Sequence, residues 1–139
     1  MPSDNRSIDD LLGALADTLF PGDDEPRRIT LESTDCNGDT PLHVYLWRSD
    51  DWAARLLTEL GANVNAIGDM GETPLHVAVR SAEARTLAAL LTAGARTDIV
   101  SEFGQTPLQL AETLGREAIL REALSLARDA KELWRREQD

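Results

Sequence analysis

Gly71-Glu72-Thr73-Pro74-Leu75-His76-Val77-Ala78 decides the fold, because the chain writes its core more than once. Thr40-Pro41-Leu42-His43 precedes it and Thr106-Pro107-Leu108-Gln109 follows it, each 33 residues from the next. Gly38, Gly71 and Gly104 stand two residues before the three threonines, and Gly61-Ala62 recurs at the same interval as Gly94-Ala95. A fixed period of this length marks a stacked array, whose units cannot bury their apolar faces alone.

Local chemistry gives each unit its shape. Each Thr is placed to N-cap the helix that follows it, and the Pro then takes the first helical position, where its missing N–H costs nothing. The Gly before each Thr suits a tight turn with positive φ, while Gly61 and Gly94 sit where an outer helix stops in a left-handed cap. Those outer helices are expected over 52–60 and 84–93, with Leu56, Leu57 and Leu60, then Leu87, Leu90 and Leu91, at helical spacing.

The period and the Thr-Pro-Leu-His tetrapeptide resemble the ankyrin repeat across residues 35–124. The resemblance implies an all-α ankyrin-repeat solenoid in which every repeat contributes a β-turn tip, a short inner helix and a longer outer helix. On this reading residues 1–139 form a single domain. A capping helix and connector occupy 1–34, repeats one and two occupy 35–67 and 68–100, and the third occupies 101–139 with an extended C-terminal helix.

Both flanks read as closures. Residues 8–20 form an amphipathic helix with Ile8, Leu11, Leu12, Leu15 and Leu19 on one side, Ser7 and Asp10 resembling a capping box, and Pro21 as a stop. Residues 22–28 make a polar connector, and Ile29 and Leu31 alternate with polar residues as in an extended strip. Residues 116–136 contain no Gly or Pro and continue a helical stripe, so the last outer helix is prolonged and expected to close the C-terminal end. Tyr45 stands where the later repeats have Ala78 and Ala111, a position facing the preceding repeat. With no repeat before it, Tyr45 is expected to pack on the N-terminal helix.

Composition narrows the function. Apolar residues at 42% and charged residues at 28% are a globular balance. With 25 Asp and Glu against 14 Lys and Arg, the net charge of −11 disfavours nucleic acid and anionic membrane and favours a basic partner. The lone Cys36 cannot form an internal disulfide, which points to a reducing cytoplasm. The N-terminus lacks the basic region of a signal peptide, and the longest apolar run, Leu87 to Leu91, is too short to cross a bilayer.

No catalytic group emerges. His43 and His76 belong to the repeated tetrapeptide, and in the ankyrin family such histidines hydrogen-bond their own turn and the neighbouring one. A metal site needs three or four convergent ligands at short spacing, which two such histidines do not supply. Cys36 has no basic neighbour in sequence to depress its pKa, and there is no phosphate-binding loop. Catalytic residues, metal and cofactor are accordingly expected to be absent, although an acidic concave face that binds a metal is the enzymatic alternative.

The resemblance implies a binding surface on the concave side, made of turn tips and the exposed side of the inner helices. By position the tips offer Cys36, Asn37 and Asp39, then Asp69, Met70 and Glu72, then Glu102, Phe103 and Gln105. The inner helices add Trp47, Arg48, Arg80, Ser81, Thr113 and Leu114. Trp47, Met70 and Phe103 are large apolar side chains interleaved with charge, which is interface composition. The residues chosen for partner contact are Trp47, Arg48, Asp69, Met70, Glu72, Arg80, Glu102, Phe103 and Gln105. Trp52 falls where an outer helix usually exposes a polar residue, marking a second contact or a shift in helix phase. The expected function is non-enzymatic protein binding by a chain that is monomeric when free: a small acidic inhibitor or immunity-type protein masking a basic toxin or enzyme. The alternative is a cytoplasmic scaffold or adaptor with no inhibitory role.

Overall fold

Three threonines start three helices in the same way. In the computed structural model, which describes residues 7–15 and 29–138, Thr40, Thr73 and Thr106 each adopt extended backbone and accept through the side chain from the amide three residues on. The side chain at that third position bonds back to the threonine amide, so each inner helix starts in a closed capping box. Such caps stabilise a helix start by ~1 kcal/mol each.

After α1 (Ile8–Gly13), the helices alternate inner and outer. They are α2 (Pro41–Trp47) and α3 (Asp51–Glu59), α4 (Pro74–Ser81) and α5 (Ala84–Thr92), then α6 (Pro107–Thr113) and α7 (Glu117–Gln138). There is no strand among the described residues. Inner helices pack on inner helices one repeat along, and α3, α5 and α7 form the outer row. Gly61 and Gly94 end α3 and α5 at φ of 100° and 102°, where a Cβ would strain the backbone.

The core runs between the rows. Leu42, Leu57, Leu75, Leu87, Leu90 and Leu120 are each at most 1% exposed. Alanines Ala53, Ala54, Ala78, Ala111 and Ala123 are buried with them and let the helices approach closely. Trp52 is half-buried and packs against this core.

The two ends differ. At the N-terminal end Ser7 and Asp10 close the expected capping box on α1, and Leu11, Leu12 and Leu15 are buried. The Tyr45 hydroxyl donates to the Leu11 carbonyl, so the large residue in repeat one does meet the N-terminal helix. The expected continuation of that helix over 16–20, its stop at Pro21 and the connector at 22–28 lie outside the described residues. Ile29 is buried, but a turn at 31–32, closed by the Ser33 amide donating to the Thr30 carbonyl, replaces the extended strip.

At the C-terminal end the prolonged helix is present, yet it does not close the stack. α7 packs chiefly along α5, as an outer helix should, and leaves the far side of α6 uncovered. Leu108 is 37% exposed, whereas its equivalents Leu42 and Leu75 are 1% and 0% exposed beneath the next repeat. Length alone could not make α7 a cap, because a straight helix continues along its own row and does not fold over the neighbouring one. Arg116 ties repeat three to repeat two, its guanidinium donating to the Val79 and Ala82 carbonyls at 3.0 and 2.6 Å and satisfying the C-terminal end of α4.

Candidate protein-binding face

The tips are locked to one another before any partner arrives. The Asp69 amide donates to Asp39 Oδ1 at 2.9 Å, and the Glu102 amide donates to the Met70 carbonyl at 3.0 Å. Behind the tips each histidine joins two repeats. His43 Nδ1 accepts from the Thr40 amide, which fixes the tautomer so that Nε2–H donates to the Glu72 carbonyl at 3.0 Å. His76 does the same between Thr73 and the Gln105 carbonyl, at 2.9 Å. Burial pushes the His43 imidazole below its ordinary pKa, against the opposing pull of its bond to Glu72, so the ring is neutral at pH 7. Gln109 caps its own helix by accepting from the Thr106 amide at 2.9 Å, and being exposed it carries no bridge onward.

On this rigid edge the side chains of tips and inner helices share one surface. The Glu72 carboxylate holds both terminal nitrogens of Arg80 at 2.7 Å, linking the second tip to α4 eight residues on. The same register position in repeat three carries a neutral version, Gln105 donating to the Thr113 hydroxyl at 3.1 Å. Arg80 in turn lies over the ring of Trp47, 4.9 Å from its centroid. The planar guanidinium therefore makes a bidentate ion pair through its edge and a cation–π contact through its face.

Of the residues chosen from the sequence, Trp47, Glu72 and Arg80 are thus brought together. Asp69, Met70, Glu102 and Phe103 are exposed along the tips, with Met70 49% and Phe103 61% accessible. Gln105 is partly buried in its bond to Thr113. Two choices change character. Glu72 is only 2% exposed, so its carboxylate is spent on Arg80 and offers no direct contact. Arg48 lies over Tyr45, 5.9 Å from the ring centroid. The bridging role of Arg80 was missed from the sequence, although the repetition of the 72/80 spacing at 105/113 could have exposed it.

One backbone feature sets the middle tip apart. Met70 has φ 59° and ψ 22°, left-handed for a residue with a Cβ, and is followed by Gly71 at φ 71°. Gly104 of the third tip is left-handed at φ 75°, whereas Phe103 before it is not. Holding a non-glycine there costs ~1 kcal/mol and turns the Met70 side chain into solvent.

Among the described residues no group of three or more His, Cys, Asp or Glu is arranged to hold a metal ion, and no helix is long and apolar enough to cross a membrane. No curated protein matches the chain. A family model described as ankyrin repeats, in three copies, matches residues 14–101, which take in the first two tips and end where the third begins. With its 33-residue register, capped inner helices and histidine bridges, the chain belongs to the ankyrin-repeat family, whose members are protein–protein interaction modules.

Proposed function

We propose that this chain is a small acidic inhibitor, of the immunity type, that covers a basic surface on another protein with its tips and inner helices. The supporting observation is the pairing of half-exposed aromatic and apolar side chains, Trp47, Met70 and Phe103, with the exposed carboxylates Asp69 and Glu102 on a hydrogen-bonded edge. Rigid apolar anchors release water on contact at little entropic cost, and the surrounding acids speed encounter with a cationic partner. The net charge of −11 extends that attraction beyond the contact itself. A reducing cytoplasm, where Cys36 stays a thiol, is the proposed site of action.

The test is affinity capture from the source cell with the wild-type chain and with a Trp47→Ala/Phe103→Ala double variant. The proposal expects a basic protein that is retained by the wild type, lost by the variant, and inactive while bound. Capture of a protein that keeps its full activity in the complex would replace inhibition by a scaffold role.

A further inference from the structure

Cations of this acidic chain concentrate near the end of α7. Four of its 14 Lys and Arg fall within residues 128–136, on the half of α7 that follows its last buried residue, Ala127. A groove of about 680 Å³ runs between this stretch and the end of α5, with Leu91, Ala95, Leu124 and Ala127 contributing its apolar wall. Arg128, Lys131, Arg135 and Arg136 line its rim, against a single carboxylate, Glu132. A second hollow of about 500 Å³ shares Lys131 and Arg135 with the first and adds Ala130 and Trp134. Trp134 is 62% exposed.

Two ordinary explanations fall short. Cations in the last turn of a helix complement its dipole, which accounts for Arg135 and Arg136 but not for Arg128 and Lys131, which lie further back. Asp129 and Glu132 fall among these cations in sequence, as on an ordinary solvated face, but few of the charges pair. Among the described residues Glu132 pairs with Arg136 at 3.1 Å, and no carboxylate lies within ion-pair distance of Arg128, Lys131 or Arg135.

We propose that this groove is a second docking site, for an acidic peptide segment that carries apolar side chains. The apolar wall and Trp134 take the partner's hydrophobic residues, and Arg128, Lys131 and Arg135 take its carboxylates. A peptide is favoured over a bilayer or a duplex on range. Charges more than ~8 Å from the contact are screened at physiological ionic strength, so a short segment meets mainly the local cations. An extended polyanion would also meet the acidic remainder of the chain, which carries the net charge of −11. A partner on the tips and a partner on α7 would have opposite charge, and the chain could hold both.

The experiment uses the full chain and a fluorescein-labelled peptide of Leu and Glu in helical alternation. Its counterpart with Lys in place of Glu and vesicles of phosphatidylserine and phosphatidylcholine serve as comparison probes. The Leu/Glu peptide should bind, and Arg128→Glu/Lys131→Glu and, separately, Trp134→Ala should each weaken it about tenfold or more. Both variants change exposed residues, and unchanged circular dichroism melts would show that the fold survives. Absence of peptide binding, equal binding of the Lys peptide, or indifference to both variants would overturn the proposal. Vesicle binding that is lost in the same variants would assign the groove to anionic lipid and overturn it as well.

Discussion

Arg80 reaches back one repeat to stand over Trp47, 4.9 Å from the ring centroid, while the buried carboxylate of Glu72 fixes both of its terminal nitrogens. The exposed aromatic of the proposed binding face is therefore held by a charge pair whose acid is 2% exposed and whose base is reachable by water. Removing the two partners has unequal consequences. Arg80→Ala leaves a buried carboxylate alone and should cost ~3 kcal/mol. Glu72→Ala removes the buried charge and lets Arg80 rehydrate, so ~1–2 kcal/mol is expected. Urea unfolding of the two variants decides it, and equal losses would mean that Glu72 is not buried as described.

Binding and stability should separate at Trp47 and Phe103. Truncating either to alanine is expected to weaken partner binding by ~2 kcal/mol, about thirtyfold, and to change stability by ~0.5 kcal/mol or less at Phe103. Trp47→Ala also loses the Arg80 contact, which adds ~0.5–1 kcal/mol. Leu75→Ala, at 0% exposure, should instead cost the fold ~2–5 kcal/mol. Calorimetric melts beside titration of the captured partner measure both quantities.

At Met70 the two quantities should move in opposite directions. Met70→Gly relieves a left-handed backbone and should stabilise the fold by up to ~1 kcal/mol, less what the freer unfolded chain gives back. The same change removes an exposed apolar side chain and should weaken binding. A Met70→Gly protein that is less stable would show that the side chain packs on its neighbours.

His43 gives the fold a pH dependence of defined sign. Because burial lowers its pKa in the folded state, the unfolded chain binds the proton more readily. The stability of the neutral ring is fully present above the unfolded value, about 6.5, and is lost as pH falls toward the lowered folded value. His43→Gln should flatten this part of the stability profile between pH 7 and 5, since Gln can cap its own helix as Gln109 does. An unchanged slope would place the dependence elsewhere.

The N-terminal contact is testable through one oxygen. Tyr45→Phe removes the hydroxyl that donates to the Leu11 carbonyl and should cost ~1–2 kcal/mol. Deleting residues 1–20 exposes the whole face around Tyr45 and should lower the thermal midpoint further. A truncated chain that melts like the full-length one would contradict a capping role for α1.

What could be read in advance was whatever repeats. Thr40, Thr73 and Thr106 announce their caps because N-cap chemistry is local, and Gly61 and Gly94 announce helix ends for the same reason. Tyr45 could be placed because its departure from Ala78 and Ala111 has one steric meaning. The open far side of α6 was not legible, since the direction a helix takes after Ala127 depends on which neighbour it lies against. Nor did sequence separate Glu72 from Asp69, both tip acids: only the tertiary position of Arg80 makes the first a buried anchor and leaves the second in water. Read along one helix the α7 cations resemble dipole compensation, and the groove appears only when Leu91 and Ala95 are set beside them.

Leu108, 37% exposed where Leu42 and Leu75 are covered, also fixes the order in which the molecule comes apart. In a stacked array the free energy is close to a sum of repeat and neighbour-interface contributions, and a repeat with a neighbour on one side only is the first to open. Repeat three has such a single interface, and Gln109 adds no bond across it. Opening at this end therefore starts at α6 and spreads toward repeat two. Amide protons of α6 should exchange earlier than those beside His43 and His76.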